Sequence, residues 1–334
     1  MNKRKLIIDT DGGIDDALAI MLANASGVFD IKGITTVFGN VSLQQAARNV
    51  LYLTELYDID CDVAIGAQQS ILVTMPDAKK VHGENGLGNF RYTQPQKSIY
   101  DRWAWEYIYE TALEEKGELE ILSLGPLTNI AIAVLKYPML KDLVKKIVVM
   151  AGAATVGNVS PYAEFNVYQD AHAAAVVLNA GFHDLVMVDL EACSTAFLTD
   201  NESDRMLIVK SKLGPLYEAM RIYQRKYQRD FLTWNPKLEE SMKDRNIFCD
   251  AVAAAVAINQ EIAVTEPQYV TCETQSHNNY GQTVVDWTGR LNKKYNVNLV
   301  RSVDREEYSS MFFESLNHYY DEPSSEQEEG GEQQ

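Results

Sequence analysis

"LIIDTDGGIDDALAIMLA" (6–23) crowds four carboxylates, Asp9, Asp11, Asp15 and Asp16, into eight residues between an apolar strand-like run and an apolar helix-like run. Two like charges about 4 Å apart in a partly buried site repel by roughly 4 kcal/mol. Gly12 and Gly13 let the backbone turn tightly between the two runs. The helix N-terminus that follows offers a favourable field of up to about 1 kcal/mol, too little to offset several repulsions. A cation is the natural remedy, and an oxygen-only ligand set favours Ca²⁺ or Mg²⁺ over zinc. A solvated acidic helix start is the simplest alternative, but the buried-looking strand immediately before the cluster argues against it. An EF-hand loop fails, because it needs Glu at its twelfth position and counting from Asp9 gives Ile20. A phosphoryl-transfer enzyme with Asp9 as nucleophile and Mg²⁺ as cofactor leaves Asp15 and Asp16 unexplained.

Outward from this turn, short β-branched runs alternate with longer helical patterns. Strands are expected at 5–9, 31–37, 62–66, 119–125, 145–152 and 184–190, and helices near 14–25, 42–57 and 101–116. Such alternation predicts an α/β fold, a mainly parallel open sheet flanked by helices, in which ligands bind beyond the carboxyl ends of the strands. The long irregular stretches 67–100 and 153–169 are candidate functional loops. Segment 214–249, rich in Tyr, Arg and Lys, reads as a helical insertion or lid. Late strands are expected at 268–273, 282–287 and 297–303, and a final helix at 304–320.

The 334 residues are 46% apolar or aromatic and carry a net charge of −17. Six of the acids lie in the tail 321–334, which has a disordered composition, and the remainder carries −11. The predicted organisation is one domain over 1–320 followed by this tail. The sign of the charge opposes binding to nucleic acid or an anionic membrane. No apolar run reaches membrane-spanning length, and the run before Asp9 is too short for a signal-peptide core. Cys61, Cys193, Cys249 and Cys272 are widely spaced with no CxxC pair, so a reducing, cytoplasmic setting is expected.

Several segments then coincide in order with one family. "DTDGGIDDALAIMLA" resembles the DxDPGxDDxxA signature of the inosine–uridine nucleoside hydrolases, with Gly12 in place of Pro. "GITTVFGN" (33–40), "VHGENGLG" (81–88), "SLGPLTNIA" (123–131), "GNVSPYAEFNVYQDAHAA" (157–174) and "YGQTVVD" (280–286) resemble later family segments, and the matches span roughly 5–290. The resemblance implies a Rossmann-like nucleoside hydrolase fold and Ca²⁺-dependent cleavage of the N-glycosidic bond of a ribonucleoside. It implies Asp11, Asp16, Asp250 and the carbonyl of Leu124 as metal ligands, with Asp11 also as general base. It implies Asp15, Asn40, His82, Asn158, Glu164, Asn166 and Asp250 as substrate contacts, and a homo-dimer or homo-tetramer. Elementary chemistry agrees: a carboxylate-rich floor under the sugar favours an oxocarbenium-like transition state.

The chain departs from the family where a His usually precedes the last metal-binding Asp. Here Cys249 precedes Asp250. A thiol of reference pKa about 8.5 is able to donate a proton but matches neutral pH less well than imidazole. Cys249 is therefore a candidate general acid, and a buried apolar Cys is its bland reading. Tyr223 and Tyr227, four apart on one helix face, are candidates for stacking on the base, with Arg221, Arg225, Phe231 and Trp234 as alternatives. A fold-retaining nucleoside-binding protein without turnover is the remaining alternative.

Overall fold

The computed structural model describes residues 3–73, 75–208, 213–234 and 243–319. The acidic tail lies outside the described residues. Strands β1 (Arg4–Thr10), β2 (Phe29–Thr36), β3 (Asp62–Ile65), β4 (Tyr100–Trp103), β5 (Leu119–Ser123), β6 (Val144–Met150) and β7 (Leu185–Val188) are followed by β8 (Ala263–Gln268), β9 (Val270–Cys272), β10 (Thr283–Val285) and β11 (Val297–Val303). Nine of them form one sheet in the order β4-β3-β2-β1-β5-β6-β7-β11-β8, while β9 and β10 form a separate hairpin. Every pair in the large sheet is parallel except β11 with β8.

Helices cover both faces because the central strands are apolar on both. Leu6 and Ile8 of β1 face one core, with helices Ile14–Ala25, Leu43–Leu56, Cys249–Ile258 and Arg305–His318. Ile7 faces the other, with helices Ala104–Glu114, Thr128–Lys136 and Ala171–Leu178. The same alternation runs along β6, where Val148 and Met150 face the first core and Ile147 and Val149 the second.

Two expectations shift. The helix read from 101 begins at Ala104, because Tyr100–Trp103 pair as the edge strand β4. The strand expected at 268–273 divides: Ala263–Gln268 is the antiparallel edge of the large sheet and Val270–Cys272 joins the hairpin. Pro267 argues against a strand in sequence, but β8 is an edge strand, where a missing donor is tolerated.

The chain runs outward from β1 through β2, β3 and β4, then crosses to the other side of β1 to form β5. The switch point is therefore between β1 and β5, where a crevice opens beyond the carboxyl ends of the strands. Asp9, paired with Thr35 on one side and Ser123 on the other, marks its floor.

Candidate active site

β1 delivers the carboxylates to this crevice, and the glycines shape the turn. Gly12 has φ +69°, and a Cβ there would approach Ala46 Cα to 2.9 Å. The family's usual Pro, fixed near −65°, has no access to this conformation. A Cβ on Gly13 would lie 2.4 Å from Asn40 Nδ2 and 2.6 Å from His82 Nδ1. Asp16 then caps its own helix from within. Its Oδ2 accepts from Gly13 N–H at 2.8 Å and from Asn40 Nδ2 at 3.2 Å, while its Oδ1 accepts from Thr10 Oγ1 and from Asp11 N–H.

Asp11 is fully buried and held by one residue, with Oδ2 accepting from Asn40 N–H and Oδ1 from Asn40 Nδ2, both at 2.7 Å. Burial, with Asp16 alongside, pushes its carboxyl well above the usual range. Asp250, in the first turn of helix Cys249–Ile258, is raised in the same way by burial and by Asp15, Asp16 and Asp11. Burial and the Asp16 charge lift Asp15 to about 7. Among the described residues, Asp15, Asp16 and Asp250 offer oxygens that all lie within 4.8 Å of one another. The structure thus brings Asp15 into the tightest trio, while Asp11 turns toward Asn40. An all-oxygen, largely buried set of this kind fits a hard divalent cation.

Asp9 lies beneath, with Oδ1 held by Thr35 Oγ1 at 2.6 Å and Asn129 Nδ2 at 2.7 Å. It is completely buried, and burial lifts its carboxyl to about 7. A phosphatase nucleophile needs access to its substrate, so Asp9 does not serve as one.

The loops supply the walls. His82 ends the short helix Lys79–His82, and its Nδ1 accepts from Ile14 N–H at 3.1 Å. Nδ1 is thus unprotonated, and its 3.8 Å approach to Asp15 is not an ion pair. Burial pushes His82 down to about 4, leaving a neutral ring with its proton on Nε2. Asn166 Nδ2 donates to Leu124 O at 2.7 Å and Met150 O at 3.0 Å, tying the ends of β5 and β6 together. Glu164 caps helix Phe165–Gln169, accepting from the N–H groups of Asn166, Gly152 and Val167. Burial nonetheless lifts it to about 7. Asn158 sits exposed on its loop, away from these contacts.

A sequence model of the family described as inosine-uridine preferring nucleoside hydrolase matches residues 6–310. The chain belongs to this family. It is 31% identical over 299 residues to the non-specific ribonucleoside hydrolase RihC of Salmonella enteritidis PT4, covering 90% of this chain and 93% of the relative. RihC of Salmonella schwarzengrund is 33% identical over the same shares. Among solved structures, the purine-preferring ribonucleoside hydrolase from Gardnerella vaginalis superposes with TM-score 0.83 at 28% identity, covering 94% of this chain and 98% of that one. A plant nucleoside hydrolase matches with TM-score 0.83 at 30% identity, over 94% and 99% of the two chains.

The remaining candidate residues of this nucleoside hydrolase lie on two helices. Cys249 is partly buried at the start of its helix, and its carbonyl accepts from Cys193 Sγ at 3.8 Å. Tyr223, on helix Gly214–Trp234, accepts from Asn89 Nδ2 of the "GENGLGN" loop. The side chains of Tyr227, Phe231 and Trp234 lie outside the described residues. Arg221 and Arg225 pair with Asp204 on helix Asp200–Ile208, so they fasten two helices together.

Sequence reasoning missed residues that hold the site without touching the carboxylate trio. Asn49 donates from Nδ2 to Gly12 O at 2.8 Å and Asn85 O at 2.7 Å, joining the acidic turn to the His82 loop. It lies on helix Leu43–Leu56 and carries no motif signal. Asn129, which holds Asp9, was visible as the last residue of "GPLTN" but without a partner. Among the described residues, no helix is long and apolar enough to cross a membrane.

Proposed function

We propose that this nucleosidase hydrolyses the N-glycosidic bond of ribonucleosides to ribose and free base in a Ca²⁺-dependent reaction. The observation that carries this reading is the convergence of Asp15, Asp16 and Asp250 within 4.8 Å in a buried crevice. Ionised carboxylates so arranged need a neutralising cation, and Ca²⁺ takes six to eight oxygens. Asp11, Asp16, Asp250 and the Leu124 carbonyl would hold it, with sugar hydroxyls completing the set. When bound, such a cation lowers the pKa of a water molecule and orients it.

The chain's own residues do the rest. Asp11 would take a proton from the attacking water, its orientation fixed by the two Asn40 hydrogen bonds. Asp15, whose side chain keeps 20% of its exposure, would accept from a ribose hydroxyl at the mouth of the crevice. Asn166 spends its amide hydrogens on Leu124 and Met150, which leaves its side-chain oxygen to accept from the sugar. Neutral His82 would donate from Nε2, Asn40 would keep Asp11 and Asp16 aligned, and Asn158 would reach the sugar from its loop. Glu164, with both oxygens fixed by backbone N–H groups, would add negative charge that favours the oxocarbenium-like transition state. Cys249, beside Asp250, would protonate the departing base, and Tyr223 would stack on it. The relatives, a non-specific and a purine-preferring ribonucleoside hydrolase, support a ribonucleoside as substrate.

The test is ribose release by the purified protein from inosine, adenosine, guanosine, uridine, cytidine and p-nitrophenyl riboside, with Ca²⁺ and with EDTA. Release that needs Ca²⁺ supports the reading. No release from any of them overturns it in favour of a nucleoside-binding protein.

A further inference from the structure

Glu191 stands outside every motif above, yet its carboxylate gathers four donors from one short stretch of chain. Its Oε2 accepts from Ala154 N–H at 2.8 Å. Its Oε1 accepts from Thr155 N–H at 2.7 Å, from Thr155 Oγ1, and from Val156 N–H at 3.1 Å. These donors pull its carboxyl below the ordinary range despite partial burial, so the clamp is ionised at neutral pH. Hydrogen bonds to an ionised acceptor are about twice as strong as neutral ones.

The clamped stretch leaves β6 at the carboxyl edge of the sheet and leads directly into Asn158. On the far side of the loop, Gly157 N–H donates to Pro161 O at 3.2 Å, and Asn158 N–H to Ala163 O at 3.1 Å. Ala163 immediately precedes Glu164, which is itself anchored to Gly152 at 2.9 Å. The loop is therefore pinned at its outgoing end by the Glu164 region and at its incoming end by Glu191. The loop has little packing of its own, since Thr155, Val156, Asn158 and Val159 are all exposed. Glu191 is placed for this task by β7, with Asp189 at its end capping helix Leu190–Thr195 through Ala192 N–H at 2.9 Å.

We propose that Glu191 is a positioning residue for ribose binding, which holds loop 154–158 so that Asn158 meets the sugar. This rests on the ribonucleoside hydrolase reading above. An unclamped loop must be ordered by the substrate itself, so its loss falls on affinity rather than on the chemical step.

The experiment compares wild type, Glu191→Ala, Asn158→Ala and the double variant, using whichever nucleoside the wild type cleaves, together with hydrogen exchange of each purified protein. Glu191→Ala is expected to raise KM about 10-fold, within the range of coupled contacts, while kcat stays within about 3-fold. The double variant is expected to be no worse than Asn158→Ala, because the clamp acts through that residue. Exchange at the amides of residues 154–156 is expected to quicken while the central sheet is unchanged. Unchanged KM with a lower Tm, or fully additive losses in the double variant, would overturn the proposal. A wild type that releases no ribose overturns the hydrolase reading instead, and the exchange data still report whether the clamp exists.

Discussion

The crevice has two sides that differ in how they are built. The proposed sugar side rests on the carboxyl ends of the central parallel strands, where Asp9, Asp11, Leu124 and Gly152 lie at or just beyond the ends of β1, β5 and β6. Its side chains are cross-tied: Asn40 holds Asp11 and Asp16, Asn129 holds Asp9, and Asn166 holds Leu124. The proposed base side rests on the start of helix Cys249–Ile258 and on helix Gly214–Trp234, whose Tyr223 hydroxyl accepts from Asn89 Nδ2. In the proposed reaction, chemistry that demands fixed charge would occupy the cross-tied side. Recognition that varies between substrates would occupy the side made of helices and loops, as is general where loops are set on a scaffold.

The sharpest way to break this comparison is to delete a carboxylate from the cross-tied side. Asp11→Ala or Asp250→Ala is expected to lower kcat/KM by about 10⁴-fold or more, because a base and a metal ligand go together. Steady-state ribose release decides it, and near-wild-type turnover would remove these residues from the site.

Restoring the family's proline tests how rigid that side is. Gly12→Pro forces φ away from +69° and removes the N–H that donates to Thr10 Oγ1 at 3.2 Å. A shift of about 1 Å at the reacting groups costs around 10²-fold, and that loss in kcat is the expected outcome with the fold retained by circular dichroism. Full activity would show that the turn tolerates displacement.

On the base side, Cys249→Ala is expected to cost about 10²-fold on inosine but little on p-nitrophenyl riboside, whose leaving group needs no proton. Equal losses on both substrates would remove Cys249 as the acid.

Stability should report the same asymmetry through pH. Asp9, Asp15 and Glu164 have carboxyls raised to about 7, chiefly by burial, so the folded chain binds more protons than the unfolded one above pH 4. Stability from these groups is full below their ordinary pKa values and is lost as pH rises through 7. Metal-free protein is expected to melt several degrees lower at pH 8 than at pH 5.5, and saturating Ca²⁺ to raise Tm more at pH 8. A Tm that rises with pH in EDTA contradicts this.

The smallest effect lies behind Cys249. Tyr308 is fully buried, its hydroxyl has no hydrogen-bond partner among the described residues, and its ring stands edge-on to Phe312. Removing an unsatisfied hydroxyl is neutral or stabilising, so Tyr308→Phe should leave Tm unchanged or raise it by a few degrees. A clear drop would mean that the hydroxyl has a partner, such as a buried water.

How much of each side was legible in the sequence follows from the same asymmetry. The sugar side announces itself because carboxylates at a glycine turn are costly without a purpose, and helix Ile14–Ala25 begins and ends as the apolar pattern requires. Asp15's place in the trio was not legible, because motif spacing does not say which carboxylates converge. Glu191 and Asn49 were missed for a physical reason: each acts on backbone groups far away in sequence, and such partners leave no local pattern. The edge strands β4 and β8 were blurred because one-sided pairing leaves Tyr100–Trp103 exposed and admits Pro267. Tyr223 and Tyr227 share a helix face in sequence, but that spacing is also what a packed core produces.

The most direct test of the central claim is a calorimetric titration of the metal-free protein with Ca²⁺, repeated on Asp16→Ala and Asp250→Ala. The account predicts one site in the wild type, lost in both variants while their folds persist. Binding of equal strength in all three proteins, or none in the wild type, would contradict the claim that this carboxylate cluster exists to hold a cation.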